Sequence, residues 1–179
     1  MRRSLILFAA FLLAGCGAEP AATPSSSAPV AGVSWMDGFC GSLLDFAKIG
    51  DFTMPEFEQN DVASARKVMD EAFGVFAPGF DNAVTGLGKL GQAPSAEAEA
   101  VRKSIVDALT PIRDEVLAAK AALDAAPKGD KKAVTDAAAS FRRIGSRMND
   151  MPDPFQRLES DVSLKTLAAQ APNCKKLPS

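Results

Sequence analysis

The stretch DVASARKVMDEAFGVFAPGFDNAVTGLGKLGQ, residues 61–92, decides the fold class. Val62, Ala65, Met69, Ala72, Phe76, Ala83, Leu87 and Leu90 recur every three or four residues, the repeat of one face of an α-helix. Asp61 is placed to cap that helix, and Arg66 with Asp70 and Lys67 with Glu71 stand at i,i+4 spacing on its polar side. Ser95 opens a second long segment of the same kind. Val101, Ile105, Ala108, Ile112, Val116, Ala119 and Leu123 form its stripe, and Pro127 and Gly129 close it. Two long amphipathic helices, at about 61–92 and 95–126, joined by a turn at Ala93-Pro94, read as an antiparallel hairpin.

The flanks continue the pattern. Ser34 is a cap candidate for a helix carrying Trp35, Phe39, Leu43 and Phe46 and ending near Ile49. Asp130 caps another with Val134, Ala138, Phe141, Ile144 and Met148, which stops near Pro152. Asp153-Pro154 begins a fifth, interrupted segment with Phe155, Leu158, Val162 and Leu167. No stretch shows sustained period-2 alternation, so a sheet is not expected. The reading is an all-α antiparallel bundle of four to five helices around two long proline-kinked central ones. Pro78 and Pro111 interrupt those two helices at nearly equal distances from the turn, which predicts a shared bend. With Phe73, Phe76 and Phe80 close by, the bend is a candidate site for an apolar pocket between helices, set against simple curvature around a Phe-rich core.

The N-terminus has another character. Arg2 and Arg3 precede an apolar run from Leu5 to Leu13, too short for a permanent membrane span, which needs about 20 residues. The run ends in Leu13-Ala14-Gly15-Cys16, which resembles the lipobox of bacterial lipoproteins. That resemblance implies that residues 1–15 are a signal peptide and that Cys16 is lipidated. A diacylglyceryl thioether there, usually with an N-acyl chain such as palmitate, would anchor the chain to a membrane without a spanning helix. Residues 16–33, rich in Ala, Pro, Ser and Thr and without apolar periodicity, read as a flexible tether, and residues 34–179 as the bundle domain.

Cys40 and Cys174 are the other two cysteines, one near each end of the bundle domain. In an oxidising compartment they are expected to pair and to staple the last segment onto the first helix.

Composition excludes several kinds of chemistry. The chain holds no histidine, which removes Ser-His and Cys-His catalysis, the usual zinc sites, His-ligated haem and the Glu-x-x-His di-iron sites of helical bundles. Gly86-Leu87-Gly88-Lys89-Leu90-Gly91 matches GxGxxG. It follows a helical pattern and precedes a proline turn, however, where a dinucleotide site needs a strand before it and a helix after it. Ser64-Ala65-Arg66-Lys67 matches SxxK without the SDN or KTG elements of penicillin-recognising enzymes. Met36, Met54, Met69, Met148 and Met151 read as core filler rather than metal ligands. The carboxylates are scattered among Lys and Arg, so no catalytic residue, metal or cofactor is expected. Removal of residues 1–15 takes two of the 20 basic residues and none of the 22 acidic ones, and the resulting net charge of −4 disfavours nucleic acid as a partner. Arg142, Arg143 and Arg147, near Arg157, are the one basic cluster and a candidate contact for anionic lipid or an acidic partner.

The whole chain resembles the small, alanine-rich helical lipoproteins of actinobacterial envelopes. The likeness lies in the lipobox, the Pro/Ser-rich tether, the Trp35 to Cys40 opening and the late Cys174. It implies an extracytoplasmic protein held to the cell membrane through Cys16. The expected role is a non-enzymatic binding or interaction module for an envelope protein or an apolar ligand. The alternative is a structural or sensory accessory subunit that binds no small molecule.

Overall fold

The computed structural model describes residues 27–56, 61–151 and 160–178, with side chains from Val30 onward. Its helices are α1 (Ser27–Gly50), α2 (Val62–Lys89), α3 (Ala96–Ala125), α4 (Lys131–Asn149) and α5 (Val162–Gln170), followed by a 3-10 turn at Cys174–Lys176. No strand occurs among the described residues. The predicted starts of the two central helices match the observed caps. The Asp61 carboxylate accepts from the Ala63 N–H at 2.9 Å, and the Ser95 hydroxyl accepts from the Ala98 N–H at 3.1 Å. Asp130 caps α4 in the same way through the Ala133 N–H.

Each of α2, α3 and α4 runs antiparallel to the helix before it, and α2 packs against α1, α3 and α4. The core between them holds Met36, Phe39 and Leu43 of α1, Phe73, Phe80 and Leu87 of α2, Ile105, Leu109 and Val116 of α3, and Ile144 of α4. Small residues let α1 and α2 approach closely. A Cβ on Gly86 would stand 2.5 Å from Ser42 Oγ, and one on Gly79 would stand 2.8 Å from Ile49 Cδ1 and 3.1 Å from the Asp45 carbonyl oxygen. The glycines of the GxGxxG match therefore serve packing and helix termination. Gly86 faces α1, Gly88 faces open space, and the helix ends at Lys89.

One boundary differs from the sequence reading. α1 starts at Ser27, not Ser34, so the last seven residues of the expected tether, 27–33, belong to the bundle. Pro29 is tolerated in a first turn, where the backbone N–H has no helical partner to lose. Gly32 is buried, and a Cβ there would lie 3.1 Å from Leu167 of α5 and 3.7 Å from Pro94. These are contacts from distant parts of the chain, which an Ala/Pro/Ser composition does not reveal. The expected fifth segment starts, at Asp153-Pro154, outside the described residues. Its later part is α5, capped by Asp161, whose carboxylate accepts the Ser163 and Leu164 N–H groups at 2.9 Å each.

Candidate functional site

Two arginines lock the central hairpin from its two ends. Arg66, on the second turn of α2, donates to the carbonyls of Leu123 at 2.6 Å, Ala126 at 3.1 Å and Pro127 at 3.0 Å, where α3 stops. Arg102, early in α3, donates to the Leu87 carbonyl at 3.1 Å, where α2 stops, and is itself held by Glu99. Each helix start thus supplies a cation to its neighbour's C-terminus, where unpaired carbonyls and the helix dipole favour positive charge. Glu99, bonded by Arg102, has its pKa held below the ordinary carboxylate value. Sequence spacing assigned Arg66 only to Asp70, and that contact exists at 3.7 Å, but the carbonyls are the closer partners. The reach from α2 to α3 is not encoded in any local repeat.

A second constellation fastens the C-terminus to α1. The Cys40–Cys174 disulfide is present, with Cα atoms 4.9 Å apart. Beside it the Asp37 carboxylate accepts the Asn173 backbone N–H at 2.7 Å and its side-chain amide at 3.1 Å. Gly41 leaves the space this amide occupies, since a Cβ there would come within 2.9 Å of Asn173 Nδ2. α5 and the 3-10 turn consequently run parallel to α1, with Leu167 near Gly32, Asn173 near Asp37 and Cys174 at Cys40. At the start of this seam lies a shallow hollow lined by Val30, Val33, Ser34, Asp37, Gln170 and Pro172. Trp35 lies nearby and its indole N–H donates to the Gly91 carbonyl at 3.2 Å, tying α1 to the α2–α3 turn.

The aromatic residues expected to open a pocket fill space instead. Phe73 and Phe80 are fully buried, and Phe76 is half-buried. Phe73 and Phe76 pack against Phe141 with ring centroids 5.1 and 4.6 Å apart, and Phe80 meets Phe46 edge-on at 5.3 Å. Pro78 and Pro111 are both exposed, and α2 and α3 continue through them. For Pro78 the reason is angular: a residue two positions from Phe76 and from Phe80 points to the opposite side of a helix. None of the five residues lines the hollows found at Glu97 and Leu164, at the α2–α3 turn, at Val30 and Pro172, or between α3 and α4.

The basic cluster divides. Arg143 and Arg147 both reach Glu115 on α3, at 2.8 and 3.4 Å, and Arg143 also donates to the Ser140 hydroxyl at 2.8 Å. Two of the three arginines thus tie α4 to α3. Arg142 is exposed and has no ion pair among the described residues, while Arg157 and Cys16 lie outside them. Among the described residues no three Cys, Asp or Glu side chains converge as metal ligands, and no buried side-chain polar atom lacks a partner.

The fold and these contacts define a disulfide-closed, all-helical bundle. Comparison with protein-family models, with curated proteins and with solved structures finds no match.

Proposed function

We propose that this protein is a membrane-anchored extracytoplasmic lipoprotein whose helical bundle acts as a non-enzymatic interaction module of the cell envelope. The observation that carries the reading is the division of its three cysteines. Cys40 and Cys174 are paired, a bond that persists in oxidising compartments, and the third cysteine is the one that ends the Leu13-Ala14-Gly15-Cys16 run. An exported domain and a lipid-bearing N-terminal cysteine are mutually consistent. The resemblance to helical envelope lipoproteins supports the same placement.

A role without catalysis is favoured by chemistry. The chain has no histidine, and carboxylates such as Asp37, Asp61, Glu99, Glu115, Asp130 and Asp161 are committed to caps, ion pairs or, for Asp37, hydrogen bonds from Asn173. The close-packed phenylalanine cluster directs binding to the outer faces of the bundle, so a protein or lipid surface is a better partner than an apolar ligand between the helices.

The test is maturation of the full chain in a bacterial host. The expected product begins at Cys16, carries the mass of a diacylglyceryl group and sediments with membranes, whereas Cys16→Ser leaves an unlipidated chain. An unmodified wild-type chain in the soluble fraction would reject the reading.

A further inference from the structure

We infer that the end of the bundle where α1 begins is a membrane-docking surface, which seats Val30 and Val162 against an anionic lipid bilayer. This deepens the proposal above and rests on its lipidated Cys16. Among the large hydrophobic side chains described, Val30 and Val162 are the most exposed, at 68% and 80%. They belong to different helices, yet the parallel course of α5 along α1 brings the starts of both to the same end of the bundle. Val30 also forms part of the apolar hollow with Val33 and Pro172.

The attachment point makes this end the one presented to lipid. Ten residues lie between Cys16 and Ser27, so even a fully extended chain holds the first turn of α1 within about 40 Å of the lipidated sulfur. The opposite end stands about 42 Å from that first turn, the length of the 28-residue α2, so it could meet the bilayer only with the linking residues near full extension. Exposed apolar surface on the far half, Met54 and Leu117, is both less exposed and less well placed.

Charge at the near end favours the same partner. Lys89, at the end of α2, and Lys165, on α5, are exposed and have no ion pair among the described residues, whereas Lys175 and Lys176 follow Cys174 at Cys40, past the middle of α1, and lie away from this end. Of the acids there, Asp37 is taken by Asn173, Glu99 by Arg102 and Asp161 by the α5 cap, which leaves Glu97 exposed. A pair of apolar side chains with two uncommitted lysines at the same end suits a negatively charged headgroup layer.

Trp35 is the only tryptophan and lies at this end, with its indole fixed to Gly91, so it reports proximity to lipid without added labels. The full lipidated chain is reconstituted in mixed phosphatidylcholine and phosphatidylglycerol vesicles with brominated or ordinary acyl chains. Docking predicts a loss of Trp35 emission in the brominated vesicles, and Val30→Asp with Val162→Asp restores it while leaving the helical circular dichroism unchanged. Equal emission in both vesicles, with lipid mass present on Cys16, overturns the docking alone. A chain without that mass overturns docking together with the reading beneath it. Equal emission accompanied by a dimer in solution overturns it in favour of a second copy as the occupant.

Discussion

Replacement of Arg66 by alanine tests whether the central hairpin is closed by its cross-capping arginine. The side chain is only 11% exposed and donates to three carbonyls beyond its own helix. Those carbonyls are not equally dependent on it. Leu123 O also accepts from the Ala126 N–H at 3.2 Å and Pro127 O from the Asp130 N–H at 3.0 Å, so Arg66→Ala leaves chiefly Ala126 O without a donor. A hydrogen bond to a charged group contributes about 1.5–3 kcal/mol when its acceptor has no substitute, and less when it has one. A cation at a helix C-terminus adds roughly 0.3–1 kcal/mol. The Asp70 contact adds little, because Asp70 is largely exposed. The expected loss is therefore about 2–3 kcal/mol in urea unfolding followed by circular dichroism, with a fall in Tm of roughly 4–12 °C for a domain of this size. Arg66→Lys keeps the charge but not the planar fork and should lose about half as much. An Arg66→Ala loss below about 0.5 kcal/mol, the range of an ordinary surface change, or a lysine variant as stable as wild type, would refute the reasoning.

The remaining predictions concern the seam, the helix contact and pH. Cys40→Ser with Cys174→Ser opens a loop of 134 residues and should cost about 3–5 kcal/mol by denaturant titration while keeping the helical signal at low temperature; a cost under about 1 kcal/mol would mean that the cross-link contributes nothing. Gly86→Ala drives a methyl group into Ser42 and should destabilise by about 1–3 kcal/mol, whereas Gly74→Ala, in open space within the same helix, should stabilise by about 0.5–1 kcal/mol; equal signs in thermal melts would refute the close α1–α2 approach. Asp161 has its pKa lowered by the Ser163 hydroxyl and then by the Leu164 N–H, so its contribution to α5 is present above the unfolded value near ~3.9 and is lost as pH falls through the lower folded value. A carboxyl titration followed by NMR with its midpoint at or above about 3.9 would contradict the cap.

The long helices were legible because their signals are local. Asp61, Ser95 and Asp130 needed only to stand before an apolar repeat of the right period, and each accepts the expected N–H. The disulfide was legible for a related reason: with Cys16 assigned to the lipobox-like run, only one pair was left to form. The pocket at Phe73, Phe76, Phe80, Pro78 and Pro111 did not follow. Proximity in sequence set Pro78 beside the phenylalanines and equal distance from the turn set Pro111 level with it, but the helical angle turns Pro78 to solvent and the rings to Phe46 and Phe141, and Pro111 is exposed as well.

The sequence by itself determined the all-helical class, the positions of the two central helices and their caps, the cysteine pairing and the absence of histidine chemistry. These depend on spacing along the chain or on composition. Tertiary structure alone decided that α1 reaches back to Ser27, that Arg66 and Arg102 cap each other's helices, that Arg143 and Arg147 share Glu115, and that Asp37 grips Asn173. Each of these joins groups 15 to 136 residues apart. A side chain's partner at such separations is chosen by how helices pack and where they end, and the periodicity of one helix carries no record of the carbonyl that another presents to it.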